Sequence, residues 1–189
     1  MTEFYEVEKV VEVIENGGLV LYPTDTIWGI GCDATNPTAI EKIYNLKKQP
    51  KEKDFILLVD SIEMLKGCVK NLHPRIETLM LYHKRPLTIL YDDPSHLPDQ
   101  VLNNDGSIAI RLTHDRFCQQ TIRRMGKPIV FASATVPERT FQGHFGSISS
   151  DIIIGVDYVV RYRQMESKAE LPSVIMKMDQ GGELVVVKG

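Results

Sequence analysis

Cysteine, tryptophan and long apolar runs are all scarce in this chain, and each shortage excludes something. The three cysteines, Cys32, Cys68 and Cys118, are far apart and form no C-x-x-C pair. A disulfide framework and a zinc site are therefore not suggested, and the thiols read as reduced residues in or near the core. The five histidines are scattered, with no H-E-x-x-H and no ligand-like spacing, so no metal site is expected. No run approaches the roughly 18–20 apolar residues that a membrane span needs. The opening MTEFYEVEKVVEVIENGG carries acidic residues where a secretion signal needs basic ones, so the expected location is the cytoplasm. A formal net charge of −3 argues against coating nucleic acid through overall charge, but leaves room for a local basic patch. No G-x-x-x-x-G-K-[S/T] is present, so an ATP site here is not a Walker loop.

What is present describes a globular α/β chain. Apolar residues make up 43% and charged residues 25% of 189 positions, which fits one domain spanning residues 1–189. Phe4 to Asn16 has apolar residues at helical spacing, and Gly17-Gly18 provides a stop. Strands are expected at 19–22, 55–59, 87–91, 108–112, 129–132, 157–160, 173–178 and 184–187. Helices are expected from Asn36-Pro37 to Leu46, after Asp60 with Glu63 as a capping box, over 74–82 and 115–125, and from 147–151 onward. Gln180-Gly181-Gly182 reads as a hairpin turn. This alternation implies helices packed on a single twisted, partly parallel sheet.

Gly29-Ile30-Gly31-Cys32-Asp33-Ala34 fits G-x-G-x-x-A but not its context. Six residues separate it from the preceding strand, and no helix can start before Asn36, so a Rossmann site is rejected. Tyr22-Pro23-Thr24-Asp25-Thr26 follows a buried strand directly. Spacing alone leaves two readings open: a turn closed by its own side chains, or a loop holding a small polar ligand. Lys47 to Lys53 contains four lysines in seven residues, either a solvated loop after a helix end or a cationic lip for a triphosphate. Arg111 and Ser133-Ala134-Thr135 each end an expected strand, which would aim them into the same crevice.

The stretch GGLVLYPTDTIWGIGCDATNPTAIEKIYNLKKQP resembles the opening of the YrdC/YciO family. Arg85-Pro86-Leu87-Thr88 resembles that family's Pro-Gly-Pro-Leu-Thr, Ser107 to Arg111 its Val-Ala-Val-Arg strand, and Ser133-Ala134-Thr135 its Ser-Ala-Asn. Val174-Ile175 is similar to its Ser-Thr-Val-Val-Asp segment. The resemblance implies a YrdC-like fold with a concave, positively charged face. It also implies an L-threonylcarbamoyladenylate synthase, a nucleotidyltransferase using L-threonine, bicarbonate and ATP, with magnesium accompanying the triphosphate. Its product would serve tRNA threonylcarbamoyladenosine modification through downstream tRNA threonylcarbamoyl-transferase proteins. By the same resemblance Thr26, Arg111 and Ser133 hold threonine. Lys47, Gln49, Lys53, Ser107 and Thr135 face the nucleotide, with Lys47 also catalytic.

Departures from the pattern point toward the YciO branch and to a synthase or a weakened relative of one. Gln49 stands for the arginine of Lys-x-Arg, Phe55 follows Asp54 in place of Pro-Leu, and Leu58 replaces a histidine. Thr135 replaces asparagine, Pro172-Ser173 replaces Ser-Thr, and Val187-Lys188 stands where an arginine is usual. Two other readings stay open: a non-catalytic module binding double-stranded RNA or tRNA by shape and phosphate contacts, and a regulatory nucleotide-binding protein.

Overall fold

The computed structural model describes residues 3–48, 55–135, 143–166, 172–179 and 181–188. Helix α1 (Glu3–Glu15) forms because Val7, Val10, Val11 and Ile14 share one face, and all four are buried. It stops at Gly17, whose φ of 73° sits in the left-handed region that glycine enters freely. Two short strands follow, β1 (Val20–Tyr22) and β2 (Gly29–Gly31), then α2 (Pro37–Lys47). Asn36 caps α2, its side chain accepting a hydrogen bond from the Ala39 N–H at 3.1 Å.

Next come β3 (Ile56–Val59), α3 (Ile62–Cys68), α4 (Pro74–Tyr82), β4 (Leu87–Tyr91) and β5 (Ile108–Leu112). The remaining elements are α5 (Arg116–Met125), β6 (Ile129–Ser133), α6 (Ser150–Gly155), β7 (Tyr158–Val159), β8 (Val174–Met178) and β9 (Leu184–Lys188).

The strands form one mixed sheet in the order β7-β1-β2-β6-β3-β5-β4-β8-β9. The pairs β1–β7, β3–β5 and β4–β8 are parallel, and the other five are antiparallel. The single, partly parallel sheet expected from the pattern is therefore present. No described helix is long and apolar enough to cross a membrane. All three cysteines are free and buried, as their scatter implied.

One local expectation needs correction. Asp60 does not cap α3. Ser61 does, its hydroxyl accepting from the Met64 N–H at 3.2 Å, while Asp60 accepts a hydrogen bond from that same hydroxyl. The glycines of the rejected G-x-G-x-x-A stretch make strand β2.

The glycines of β2 are there to seat aromatic rings. A Cβ on Gly29 would lie 2.3 Å from the Phe131 ring, and one on Gly31 2.5 Å from the Tyr22 ring. Those two rings meet edge to face, with centroids 6.5 Å apart. Gly29→Ala should therefore displace Phe131 and destabilise the fold by about 1–3 kcal/mol. Urea unfolding checks this against Gly67→Ala, whose new methyl would meet nothing within 4 Å. Equal stability of the two variants would refute the ring-seat account.

Candidate functional site

Register fixes where the polar residues fall. Arg111 on β5 pairs with Leu58 on β3 and with Thr88 on β4, so all three side chains point to one face. On the same face Ile56 pairs with both Phe131 and Ala109. Continuing two residues further sets Ser133 level with Ser107, two strands and roughly 9.6 Å away. Because β6 runs antiparallel to β3 and β5, Ser133 and Arg111 sit toward opposite ends of this ladder. The idea that several strand ends open into one crevice is therefore wrong for this pair. Arg111 nevertheless reaches the middle of the face, because its side chain is long. Its guanidinium carbon lies 5.1 Å from the centroid of the Phe131 ring.

The loop between β1 and β2 meets it there. The Thr24 hydroxyl donates to the Ile27 carbonyl at 2.8 Å and accepts from the Thr26 N–H at 3.0 Å. The two threonine hydroxyls are 2.9 Å apart. Thr24 has one proton and Ile27 takes it, so Thr26 must be the donor between them. That leaves Thr26 Oγ1 free to accept from Arg111 Nη1 at 3.0 Å. The loop closes on its own side chains, as one of its two readings has it, and in doing so aims Thr26 at Arg111.

Arg111 is only 1% exposed, yet its Nε and Nη2 make no hydrogen bond among the described residues. Asp25 Oδ1 lies 3.5 Å from Nη2, an ion pair without a hydrogen bond, and it too is buried and unbonded. The other Asp25 oxygen accepts from the His114 backbone N–H at 3.4 Å. Beside Arg111, Thr88 and Ser173 join hydroxyls at 2.7 Å, both buried. Burial pushes the Tyr22 phenol and the Cys118 thiol up, so both stay neutral next to this cation.

Lys47 arrives from the last turn of α2. Its side chain is buried, and Nζ donates to the Ser133 carbonyl at 2.8 Å. Lys48 follows with φ 52°, a left-handed residue that turns the chain away from the helix axis. The structure thus gathers Thr26, Arg111, Ser133 and Lys47 around Phe131. Ser107 stands level with Ser133, but its hydroxyl already donates to Asp105 Oδ1 at 2.6 Å and accepts from Asn103 at 2.9 Å. Thr135 is half-buried just beyond β6. Gln49 and Lys53 lie outside the described residues.

Four contributors to the site escaped the sequence reading as site residues: Asp25, Thr88, Phe131 and Ser173. Asp25 was legible inside the Pro-Thr-Asp-Thr turn, and Thr88 and Ser173 sat in the quoted motifs. Nothing in the local sequence marks Phe131 as the platform under a buried arginine.

The family model described as "Sua5_yciO_yrdC: Telomere recombination" matches residues 12–189. The chain belongs to the Sua5/YciO/YrdC family. A relative from Vibrio parahaemolyticus, named threonylcarbamoyl-AMP synthase, is 32% identical over 132 residues, covering 68% of this chain and 71% of its own length. Among solved structures, Sua5 from P. abyssi complexed with L-threonine superposes with a TM-score of 0.87 at 20% identity, covering 99% of this chain. The chain spans 54% of that Sua5 protein. E. coli YciO gives a TM-score of 0.79 at 19% identity, covering 99% of this chain and 89% of YciO. These two likenesses establish the Sua5/YciO/YrdC fold.

Proposed function

We propose that this Sua5/YciO/YrdC protein is a threonylcarbamoyl-AMP synthase, a single domain over residues 1–189 acting on L-threonine, bicarbonate and ATP. One observation carries the reading: a buried guanidinium makes no hydrogen bond through its Nε/Nη2 edge among the described residues. A buried arginine left short of partners points to a ligand. That edge is a planar two-pronged donor, the geometry that takes a carboxylate. Thr26 holds the opposite side of the guanidinium, and Phe131 lies under it.

In this reaction the threonine ammonium group and bicarbonate give a carbamate with loss of water and a proton. A carbamate oxygen then attacks the α-phosphorus of ATP, the bond from that phosphorus to the bridging oxygen breaks, and pyrophosphate leaves. The protein's task is to hold two anionic reactants together and balance charge at the phosphates. Arg111, Thr26 and Ser133 take threonine. Lys47, Gln49, Lys53, Ser107 and Thr135 face the nucleotide, with the 47–53 lysines as its positively charged rim. Magnesium enters with the triphosphate as part of the substrate. The product passes to a protein that transfers the threonylcarbamoyl group to tRNA, in the cytoplasm.

The test is pyrophosphate release from ATP by the purified protein. Release that needs both threonine and bicarbonate supports the reading. Salt-sensitive RNA binding with no such release supports a binding module instead.

Gln49 and Thr135 leave this synthase under-equipped. Arginine brings a permanently charged fork where glutamine brings a neutral amide, and asparagine brings donors and an acceptor where threonine has one hydroxyl. Gln49→Arg with Thr135→Asn should raise pyrophosphate release, each change contributing about 1–3 kcal/mol. The two are measured singly and together, because groups on one ligand need not add. A folded double variant with no gain over an inactive parent would contradict the synthase reading.

A further inference from the structure

We infer that Asp25 accepts a hydrogen bond from the substrate's amino group and makes the Arg111 seat selective for α-amino acids over plain carboxylic acids. The inference rests on the synthase reading above and adds to it a residue that this reading leaves without a task.

Three buried polar atoms without hydrogen-bond partners among the described residues lie together: Arg111 Nε, Arg111 Nη2 and Asp25 Oδ1. Two are donors and one is an acceptor, and the acceptor is 3.5 Å from the nearer donor. A ligand that satisfies all three must present acceptor oxygens to the guanidinium edge and, right beside them, a donor to the carboxylate. An inorganic anion fills the fork but sets its own oxygens against Asp25. A simple carboxylic acid fills the fork and leaves Oδ1 bare. A cation suits Asp25 and is repelled by Arg111. An α-amino acid, with its amine one carbon from its carboxylate, matches the set, and its nitrogen keeps one N–H as a carbamate, so the contact survives N-carboxylation.

Asp25 is also held for this task. Its Oδ2 accepts from the backbone N–H of His114 at 3.4 Å, which orients the carboxylate without neutralising it. Thr26, the next residue, engages Nη1 of the same guanidinium. One loop thereby sets both the arginine and the acceptor beside it. Were Asp25 only a counter-ion, a direct hydrogen bond to Nη2 would be the favoured arrangement, yet the pair stands apart at 3.5 Å with both atoms unbonded.

The experiment is calorimetric titration of the full chain with L-threonine and with β-hydroxybutyrate, which keeps the carboxylate and the hydroxyl but lacks the amine. Wild-type protein should bind threonine about tenfold or more tightly than β-hydroxybutyrate, as expected for one charge-assisted hydrogen bond. Asp25→Asn should lose about tenfold in threonine affinity and none for β-hydroxybutyrate. Equal affinity of the wild type for both ligands overturns the inference without recourse to any variant. Equal losses for both ligands in a folded Asp25→Asn protein overturn it too, since Asp25 would then act only by positioning Arg111. A wild type that binds threonine well alongside either of those results leaves the synthase reading standing. A wild type that binds neither ligand removes both.

Discussion

Arg111→Ala is expected to abolish stabilisation of the protein by threonine. A ligand at 100 times its dissociation constant stabilises the folded state by about 2.7 kcal/mol, a clear shift in a melting curve. The wild type should show that shift and the variant none, because the buried fork is gone. The free protein responds in two opposing ways. Breaking a fully buried ion pair by removing one partner costs about 3–5 kcal/mol. The Asp25 side chain, however, is 17% exposed and stands 3.5 Å from the guanidinium, so water screens much of that cost. Losing two unbonded buried donors also removes a penalty. The variant should therefore fold with reduced stability. Arg111→Lys keeps the charge without the planar fork, so it should recover stability better than threonine binding. An equal threonine-induced shift in wild type and Arg111→Ala would remove this residue from the seat.

The second large effect is expected at Lys47. It is buried, and its ammonium donates to the Ser133 carbonyl, tying the end of α2 to the end of β6. Substitution removes this link and, on the proposed reading, a cation facing the triphosphate. Lys47→Met deletes the link and the charge while retaining the apolar stem, and the two losses are read separately, as stability and as ATP affinity. A lost hydrogen bond to a charged group costs about 1.5–3 kcal/mol of stability. ATP affinity should fall by about tenfold or more, as for a lost charge-assisted contact. Calorimetry showing unchanged ATP affinity in folded Lys47→Met would take it out of the nucleotide site.

Much of the fold was legible because periodicity and stop signals coincide. The α4 boundaries, Pro74 and Tyr82, fall where the sequence places them, and Asp115 caps α5 as its position before the helix suggests, accepting from the Cys118 N–H. Strand β2 was not legible, because Gly-Ile-Gly has the composition of a loop. It pairs with β1 and β6, and its glycines leave room for the Tyr22 ring and for the Phe131 ring, which comes from far along the chain. The Asp60 cap failed because Ser61, one residue later, takes the cap position, accepting from the Met64 N–H and donating its own hydroxyl to Asp60.

The site shows the same division. Thr26, Arg111, Ser133 and Lys47 come together around Phe131, but not through aligned strand ends. Strand direction is a property of the whole sheet, and the reversed β6 appears in no local pattern. The convergence comes from the length of the Arg111 side chain and from a loop that crosses to meet it. Asp25 stood in view in the Pro-Thr-Asp-Thr turn, but its unbonded oxygen exists only in relation to a guanidinium 86 residues along the chain.

The central claim is that this face joins threonine, bicarbonate and ATP into one adenylate. Its most direct test is incubation of the purified protein with ATP, threonine and isotopically labelled bicarbonate, followed by mass spectrometry of the products. The account predicts threonylcarbamoyl-adenylate carrying the label, formed together with pyrophosphate and absent when threonine is omitted. Threonine and ATP binding with no labelled adenylate, under conditions where a synthase of the family forms it, would contradict the account.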